Sequence, residues 1–190
     1  MQLAQQAVEI DPEYGPAYRS LGFAYKALGK LEEAAEARRR TVLLRGVDRN
    51  NHFNYLQILS ELGDDERVRE AARNALPVFD RYLRLTLDDM HSKVQYALVL
   101  GMAGEHARAV AEARELEKME GLDSHALYNL SCLFLREHQL ENGLAVLRKS
   151  VGIGFRGIEF FLRDPDLDPL RGMPEFEELK MKVMAVEANG

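Results

Sequence analysis

The stretch AYRSLGFAYKALGKLEEA, residues 17–34, decides the fold of this chain. Four of its residues recur at i, i+3, i+4 and i+7, the spacing of one helix face: Tyr18, Leu21, Gly22 and Tyr25. Gly29 follows the last helical turn, where the backbone often becomes left-handed, and glycine adopts that conformation without steric cost. A second helix is predicted to begin near Leu31, so the stretch predicts a hairpin of two helices that needs neighbours to bury its apolar stripe.

The turn of this hairpin recurs along the chain with a regular period, which is about 34 residues and typical of repeated helix pairs. Gly63 lies one such period after Gly29, and His138 lies one period after Gly104. Paired helices that repeat in this way indicate an α-solenoid. The interval from Gly63 to Gly104 exceeds the period by seven residues, close to two helical turns. We expect the extra turns in RNALPVFDRYLRLTLDD, residues 73–89, with the helix kinked or divided at Pro77.

The pattern resembles the tetratricopeptide repeat family over residues 1 to about 152. The resemblance is clearest in residues 17–34 and in ALYNLSCLFLREHQLENGLAVLRKSV, residues 126–151. It implies an all-α fold, an α-α superhelix of helix hairpins with C-terminal capping helices. The predicted organisation is a truncated half-repeat (second helix only) at 1–12, four hairpins at about 13–46, 47–88, 89–121 and 122–152, and a cap at 153–190.

The tail is predicted to cover the last repeat. A short helix is expected near residues 158–162, and a final helix near Pro174, because proline suits the first helical position. Phe176, Leu179 and Val183 form the apolar stripe of that helix. The tail also resembles the C-terminal end of tetratricopeptide regions in bacterial signalling proteins, which implies a kinase or nucleotide cyclase domain before Met1.

Composition excludes several classes of protein. The net charge of −6 argues against nucleic-acid binding, which favours a basic face. No apolar run approaches the roughly 20 residues of a membrane helix, and no secretion leader is visible. A single cysteine, Cys132, leaves no intrachain disulfide and suits a reducing compartment, so we expect a cytoplasmic protein.

Two loops look like ligand sites but are expected to be structural. GIGFRG, residues 152–157, has the G-x-G-x-x-G spacing of dinucleotide sites, but a helix rather than a strand is predicted before it. Asp164, Asp166, Asp168 and Glu175 approach a calcium-loop pattern. Pro169 stands where that loop needs a glycine, so these aspartates are expected to cap helices and hold turns.

No metal, cofactor or catalytic group is predicted. The histidines, at positions 52, 91, 106, 125 and 138, form no ligand pair with metal spacing. His125 and Cys132 lie seven residues apart, too far along a helix for one ion. No nucleophile elbow or acid–base pair emerges, so an enzyme is not expected.

The basic cluster of the chain lies on the second helix of the first hairpin. It comprises Arg38, Arg39, Arg40 and Arg45. Acidic residues of the same helix, Glu32, Glu33 and Glu36, are available as partners. We therefore expect a solvated outer face, with an anionic partner patch as the alternative.

By the geometry that the resemblance implies, the first helix of each hairpin lines a concave groove. The predicted groove positions are Arg19, Phe23, Lys26, Phe53, Asn54, Gln57, Val94, Gln95, Leu98, His125, Tyr128, Asn129, Cys132 and Arg136. Amides suit a peptide backbone, and the apolar side chains suit its anchors. Some co-chaperones of the family clamp a C-terminal carboxylate with lysine, asparagine and arginine. At the matching positions only Asn54 carries the clamp residue, so that clamp is not expected.

The sequence therefore predicts a non-catalytic scaffold that binds a peptide or a partner helix in its groove. Two alternatives remain open. One is the regulatory or sensory arm of a larger bacterial signalling protein. The other is a self-assembly module, such as a homodimer, joined through the uncovered first helix.

Overall fold

The computed structural model describes residues 1–187, with side chains to residue 185, so the last three residues of the predicted cap lie outside it. None of the described residues is in a β-strand, and the prediction of an all-α solenoid of helix hairpins is confirmed. The helices are α1 (Gln2–Ile10), α2 (Gly15–Ala27), α3 (Leu31–Leu44), α4 (Arg49–Leu62), α5 (Asp65–Leu85), α6 (Met90–Met102), α7 (His106–Leu116), α8 (Ser124–Arg136), α9 (Leu140–Gly152), α10 (Ile158–Arg163), a 3₁₀ helix (Pro165–Leu170) and α11 (Pro174–Glu187).

The chain divides into two compact units. The first contains residues 1–87 and 102–104, and the second contains residues 88–101 and the chain from Glu105 onward. In the first unit α2 pairs with α3, α4 pairs with α5, and α3 packs against α4. Small and branched apolar side chains such as Ala34, Leu56 and Ala72 are fully buried there, so neighbouring helix axes approach closely.

Helix α1 packs on α2. None of its residues is buried, and Leu3 and Ile10 are 83% and 85% exposed. The helix thus contributes an apolar surface that the described part of the first unit leaves uncovered.

The tight turns confirm the period read from the sequence. Gly29 and Gly63 both have φ of 71°, and Gly104 has φ of 87°. His138 takes the same left-handed conformation, with φ of 56°, although its side chain disfavours it. Each of these residues lies between two successive helices, so the backbone geometry of the turn is kept at His138, where glycine is not.

Helix α5 carries the extra residues of the long repeat. It has 21 residues, against 14 in α3, a difference of seven. Its buried residues, Val68, Ala72, Ala75 and Phe79, continue one stripe along the helix. Of the two expectations for Pro77, a division is not found, because α5 runs through that residue as one helix, and a kink stays a prediction.

The second unit ends in the predicted cap. Helix α8 pairs with α9, and α11 packs on α9 and α10. The prediction that the final helix begins at Pro174 is confirmed. Phe176, Leu179 and Val183 of α11 are buried in one cluster with Leu147 of α9, so the last helix covers the last hairpin as expected.

Candidate functional site

A pocket lies between the first helices of the two hairpins in the first unit. It has a volume of about 420 Å³. Its lining residues are Phe23, Lys26 and Ala27 of α2, Arg38 of α3, and Asn54, Gln57 and Ile58 of α4. Four of the predicted groove residues therefore lie together in it.

Helical spacing places the lining side chains of α2 on one face of that helix, and those of α4 on one face of α4. Phe23 and Lys26 are three residues apart on α2, and Asn54 and Gln57 are three residues apart on α4. Leu21 and Leu56 are buried, which leaves the pocket-lining side chains on the more accessible side of each helix. Packing of the hydrophobic stripes thus sets the orientation of the pocket walls.

The pocket contains an ion pair at its rim. Lys26 contacts Glu61, and both side chains are about two-fifths exposed (41% and 43%). Exposed pairs of this kind contribute little to stability, about 0–1 kcal/mol. The pair does, however, neutralise the charge of Lys26.

Arg38 reaches the pocket from the second helix of the hairpin. Its side chain lies beside Gly22, where an added Cβ would be 2.8 Å from Arg38 Nε. The guanidinium carbon lies 4.1 Å from the centroid of the Phe23 ring, a cation–π contact. Arg38 is only 2% exposed, and its Nε and Nη1 atoms have no hydrogen-bond partner among the described residues.

The expectation of a solvated arginine cluster is therefore wrong for Arg38. Arg39 and Arg40 do pair with Glu36 on the exposed side of α3. Arg38 instead lies on the face of α3 that carries Ala34, Ala35 and Thr41 and that packs on α2. Burial lowers the pKa of Arg38, and the positive charge of Arg19 lowers it further.

Two predicted groove residues of the first unit lie outside this pocket. Arg19 is exposed and lines a separate cavity of about 270 Å³ together with Gly15 and Arg45. Phe53 is half-buried on α4 and is not part of the lining.

In the second unit, the predicted groove residues of α6 are not open to a partner. Val94, Gln95 and Leu98 are all buried. Every residue from Val94 to Leu100 is buried, so α6 is covered nearly all round rather than along one stripe. The sequence prediction assumed an amphipathic helix with one free side, and this helix has none along that stretch.

The predicted groove residues of α8 are contacted by the cap. Tyr128 is 4% exposed, its ring stacks on Phe155 with centroids 4.5 Å apart, and its hydroxyl donates to Asp164 at 2.6 Å. Arg136 donates through Nε and Nη2 to Asp166 at 2.7 and 2.5 Å. Tyr128 and Arg136 are thus engaged by the segment after α9 and are not free groove residues, because the tail folds back over α8.

The other α8 positions differ in exposure. His125 is exposed and contacts the edge of the Phe155 ring, with centroids 5.2 Å apart. Asn129 is half-buried, and Cys132 is buried. Burial raises the pKa of the Cys132 thiol. It is also the largest cause of the raised pKa of the Tyr128 hydroxyl.

One cluster of metal-ligating atoms occurs in the described residues. The Cys132 thiol and one carboxylate oxygen each of Asp164 and Asp166 lie within 4.8 Å of one another. Both carboxylates already accept hydrogen bonds, from Tyr128 and Arg136 respectively. Asp164 also caps the 3₁₀ helix by accepting from the backbone N–H of Asp166, as expected of an aspartate in this turn. The geometry therefore serves to attach the cap to α8.

Of the lining residues, the sequence prediction missed Ala27, Arg38 and Ile58, and Arg38 is the charged one among them. The signal was present, because the repeats of the chain can be aligned on their turn residues. The position nine residues after the turn is Arg38 in the first hairpin and Ala72, Ala113 and Leu147 in the next three. An arginine at a position that is otherwise apolar marks an unusual buried residue.

The comparisons with known proteins agree with this architecture. Residues 3–36 match the tetratricopeptide repeat family. The structure resembles MamA (residues 41 to the end) from Desulfovibrio magneticus RS-1, with 21% identity over 92% of this chain and 96% of that one and a TM-score of 0.51. It also resembles PilW, a type IV pilus biogenesis factor, with 14% identity over 96% and 82% of the two chains and a TM-score of 0.57.

A third solved structure of this fold is a tetratricopeptide repeat protein from Parabacteroides merdae ATCC 43184. It shares 13% identity over 95% of this chain and 62% of that one, with a TM-score of 0.50. Comparison with curated proteins gives no match. None of the helices in residues 1–187 is long and apolar enough to cross a membrane.

Proposed function

Because this chain is a tetratricopeptide repeat protein, by its residues 3–36 and by its fold, we propose that it is a non-catalytic scaffold for protein–protein contacts. Its ligand is a peptide or a partner helix that lies across α2 and α4 of the first unit. Stacked helix hairpins commonly bind partners on the surface formed by their first helices.

The observation that carries this proposal is the pocket between α2 and α4. Phe23 gives it an exposed aromatic anchor, and Asn54 and Gln57 give it amides that can bond a peptide backbone. Its volume of about 420 Å³ is in the range of ligand sites in proteins. Most of the predicted groove residues of α6 and α8 are buried or contacted by the cap, so the first unit offers the more accessible surface.

The proposal is tested by comparing the proteins captured by three immobilised forms of the full chain. These are the wild type, Asn54→Ala/Gln57→Ala in the pocket, and Glu159→Ala/Arg163→Ala on α10 as the matched control. Glu159 and Arg163 form an exposed ion pair far along the chain from the pocket. We expect the wild type and the control to recover the same proteins, quantified by mass spectrometry, and the pocket variant to lose them. Equal recovery by all three forms overturns the proposal.

A second candidate function is self-association through α1. The exposed Leu3 and Ile10 give this helix an apolar surface that another copy can cover. Sedimentation velocity of the wild type and of Leu3→Gln/Ile10→Gln tests it. A concentration-dependent dimer that the variant loses supports self-association, and a monomer at every concentration excludes it.

A role as the regulatory arm of a signalling protein stays a prediction from the tail. The coding sequence upstream of Met1 tests it, because the prediction requires a kinase or cyclase domain there.

A further inference from the structure

Arg38 occupies a position that packing alone does not assign to a charged residue. The three equivalent residues, Ala72, Ala113 and Leu147, are all fully buried. A guanidinium among buried residues loses its hydration, and the loss is recovered only through hydrogen bonds or an opposite charge. The arginine therefore costs stability in the free protein, and its presence needs a different reason.

No carboxylate in the described residues pairs with this charge, and its contact with the Phe23 ring offers no hydrogen-bond acceptor. Arg38 has no ion-pair partner there, and two of its nitrogens are buried without an acceptor. The contrast with Arg136 is direct, since Arg136 donates two hydrogen bonds to Asp166. The Arg38 guanidinium instead lies over the face of the Phe23 ring. The ring supplies no oxygen or nitrogen acceptor, so this contact leaves the two buried donors unused.

The unpaired charge lies where a bound segment would pass. Arg38 lines the pocket together with Phe23, Asn54 and Gln57. Its side chain reaches the pocket beside Gly22, whose missing Cβ leaves the necessary space. Phe23 is exposed, so its ring can move without disturbing the buried stripe.

The charge balance defines the kind of ligand. Lys26 is paired with Glu61, so Arg38 is left as the unneutralised cation of the pocket lining. One carboxylate, with a single negative charge and two oxygens in a plane, matches one guanidinium fork. A phosphate carries about two negative charges at neutral pH and would meet only the single charge of Arg38 in this lining, since Arg19, whose charge lowers the pKa of Arg38, lines a separate cavity. The acceptor has to reach Arg38 from the amide-lined side of the pocket, which a side chain directed inward from a bound backbone does.

We propose that the pocket between α2 and α4 binds an aspartate or glutamate side chain of a peptide segment, whose carboxylate pairs with Arg38. This inference rests on the proposed function and names the chemistry of its ligand. The bound acidic group supplies the acceptors that Arg38 lacks in the free protein.

The test is a selection from two libraries of random twelve-residue peptides against the full chain. In the first library the peptides are fused at their C-termini and have no free terminal carboxylate, and in the second the C-terminus is free. Selections are made on the wild type, on Arg38→Met and on Arg40→Met. Arg40→Met is the matched control, since it makes the same substitution at an exposed position two residues along the same helix.

We expect the first library to enrich an acidic residue at one fixed position with the wild type and with Arg40→Met. The preference should disappear with Arg38→Met, and the selected peptides should bind Arg38→Met about tenfold or more weakly. Replacing the acidic residue by its amide in a selected peptide should produce the same loss on the wild type and no loss on Arg38→Met.

Four results overturn the inference. The carboxylate pairing is wrong if the selected peptides bind Arg38→Met as tightly as they bind the wild type. It is also wrong if the selected peptides show no fixed acidic position. Both results leave the proposed peptide-binding function intact. If binding peptides are enriched only from the library with free C-termini, the pocket binds a C-terminal carboxylate rather than an acidic side chain. Peptides whose binding is unaffected by Asn54→Ala/Gln57→Ala remove both the inference and the proposed function. Circular dichroism melting of each variant verifies that it is folded.

Discussion

Arg38 fills the space that Gly22 leaves empty. A Cβ on Gly22 would lie 2.8 Å from Arg38 Nε and 3.0 Å from Arg38 Cδ, closer than a folded protein tolerates without a shift. The small residue of α2 and the long residue of α3 therefore form one packing unit. The buried Arg38 side chain can take its position only because residue 22 has no Cβ.

We expect Gly22→Ala to destabilise the chain by about 1–3 kcal/mol, because the new methyl group overpacks this contact. Urea denaturation measures the change. Gly152→Ala is the control, since nothing lies within 4 Å of a Cβ added there, and we expect it to be nearly neutral. The double variant Gly22→Ala/Arg38→Ala should be less destabilised than the sum of its single variants. Additive effects would show that the two residues are not coupled.

Arg38→Met should stabilise the free protein by about 1–2 kcal/mol, because it removes a buried unpaired charge and keeps most of the side-chain volume. Urea denaturation compares it with Arg40→Met, whose exposed side chain should change stability by less than about 0.5 kcal/mol. A loss of stability in Arg38→Met would contradict the absence of partners for the guanidinium.

Tyr128→Phe should loosen the cap. The variant removes the hydroxyl that donates to Asp164 at 2.6 Å and leaves the ring stacked on Phe155. Losing a hydrogen bond to a charged acceptor costs about 1.5–3 kcal/mol. Hydrogen exchange should become faster in residues 158–170, whereas Tyr14→Phe, at an exposed tyrosine, should leave that exchange unchanged. Unchanged exchange in Tyr128→Phe would mean that ring packing alone holds the cap.

His138→Gly should stabilise the second unit by about 1 kcal/mol, because glycine adopts the left-handed backbone of this turn without the penalty of a Cβ. Gly63→Ala should have the opposite effect at the equivalent turn. Nothing lies within 4 Å of a Cβ at Gly63, so any destabilisation there reports backbone strain alone. Thermal melting of the two variants should shift in opposite directions, and shifts of the same sign would contradict this explanation.

Stability should fall at alkaline pH because of Cys132. Burial raises the pKa of its thiol in the folded chain, so folding favours the protonated form. This contribution is complete below the ordinary cysteine pKa of about 8.5 and decreases as the pH rises above it. Urea denaturation between about pH 7 and pH 9.5 should show a loss of about 1.4 kcal/mol. Cys132→Ser does not titrate in this range and should show a flatter dependence, whereas equal slopes would assign the loss to other groups.

The sequence predicted those features of the fold that depend on local rules. The spacing of Gly29, Gly63, Gly104 and His138 located the turns, because a left-handed residue is needed where one helix stops and its partner begins. Proline at the start and an apolar stripe along its length located α11. At Pro77 the predicted division was wrong, since α5 continues through that residue despite the lost N–H, and the alternative of a kink stays a prediction.

The pocket was predicted only in part because its decisive residue belongs to the neighbouring helix. Phe23 and Asn54 follow from the exposed sides of α2 and α4, whereas Arg38 reaches them from α3 through the space at Gly22. Composition alone placed Arg38 with its exposed neighbours. Tyr128 was assigned to an open surface because a helix pattern does not reveal that a later segment returns to cover it.

The seven additional residues of α5 restrict how this helix can change in length. Seven residues rotate an ideal helix by two full turns less about 20°. The buried stripe therefore stays in phase beyond the insertion, and it comprises Val68, Ala72, Ala75 and Phe79. Five inserted residues would rotate the same stripe by about 140° and bring polar side chains into the interface. In alignments of this chain with its relatives, gaps within α5 should therefore be of a length that keeps the phase, such as about 7, about 11 or about 18 residues, and a gap of about five residues there marks a misplaced register.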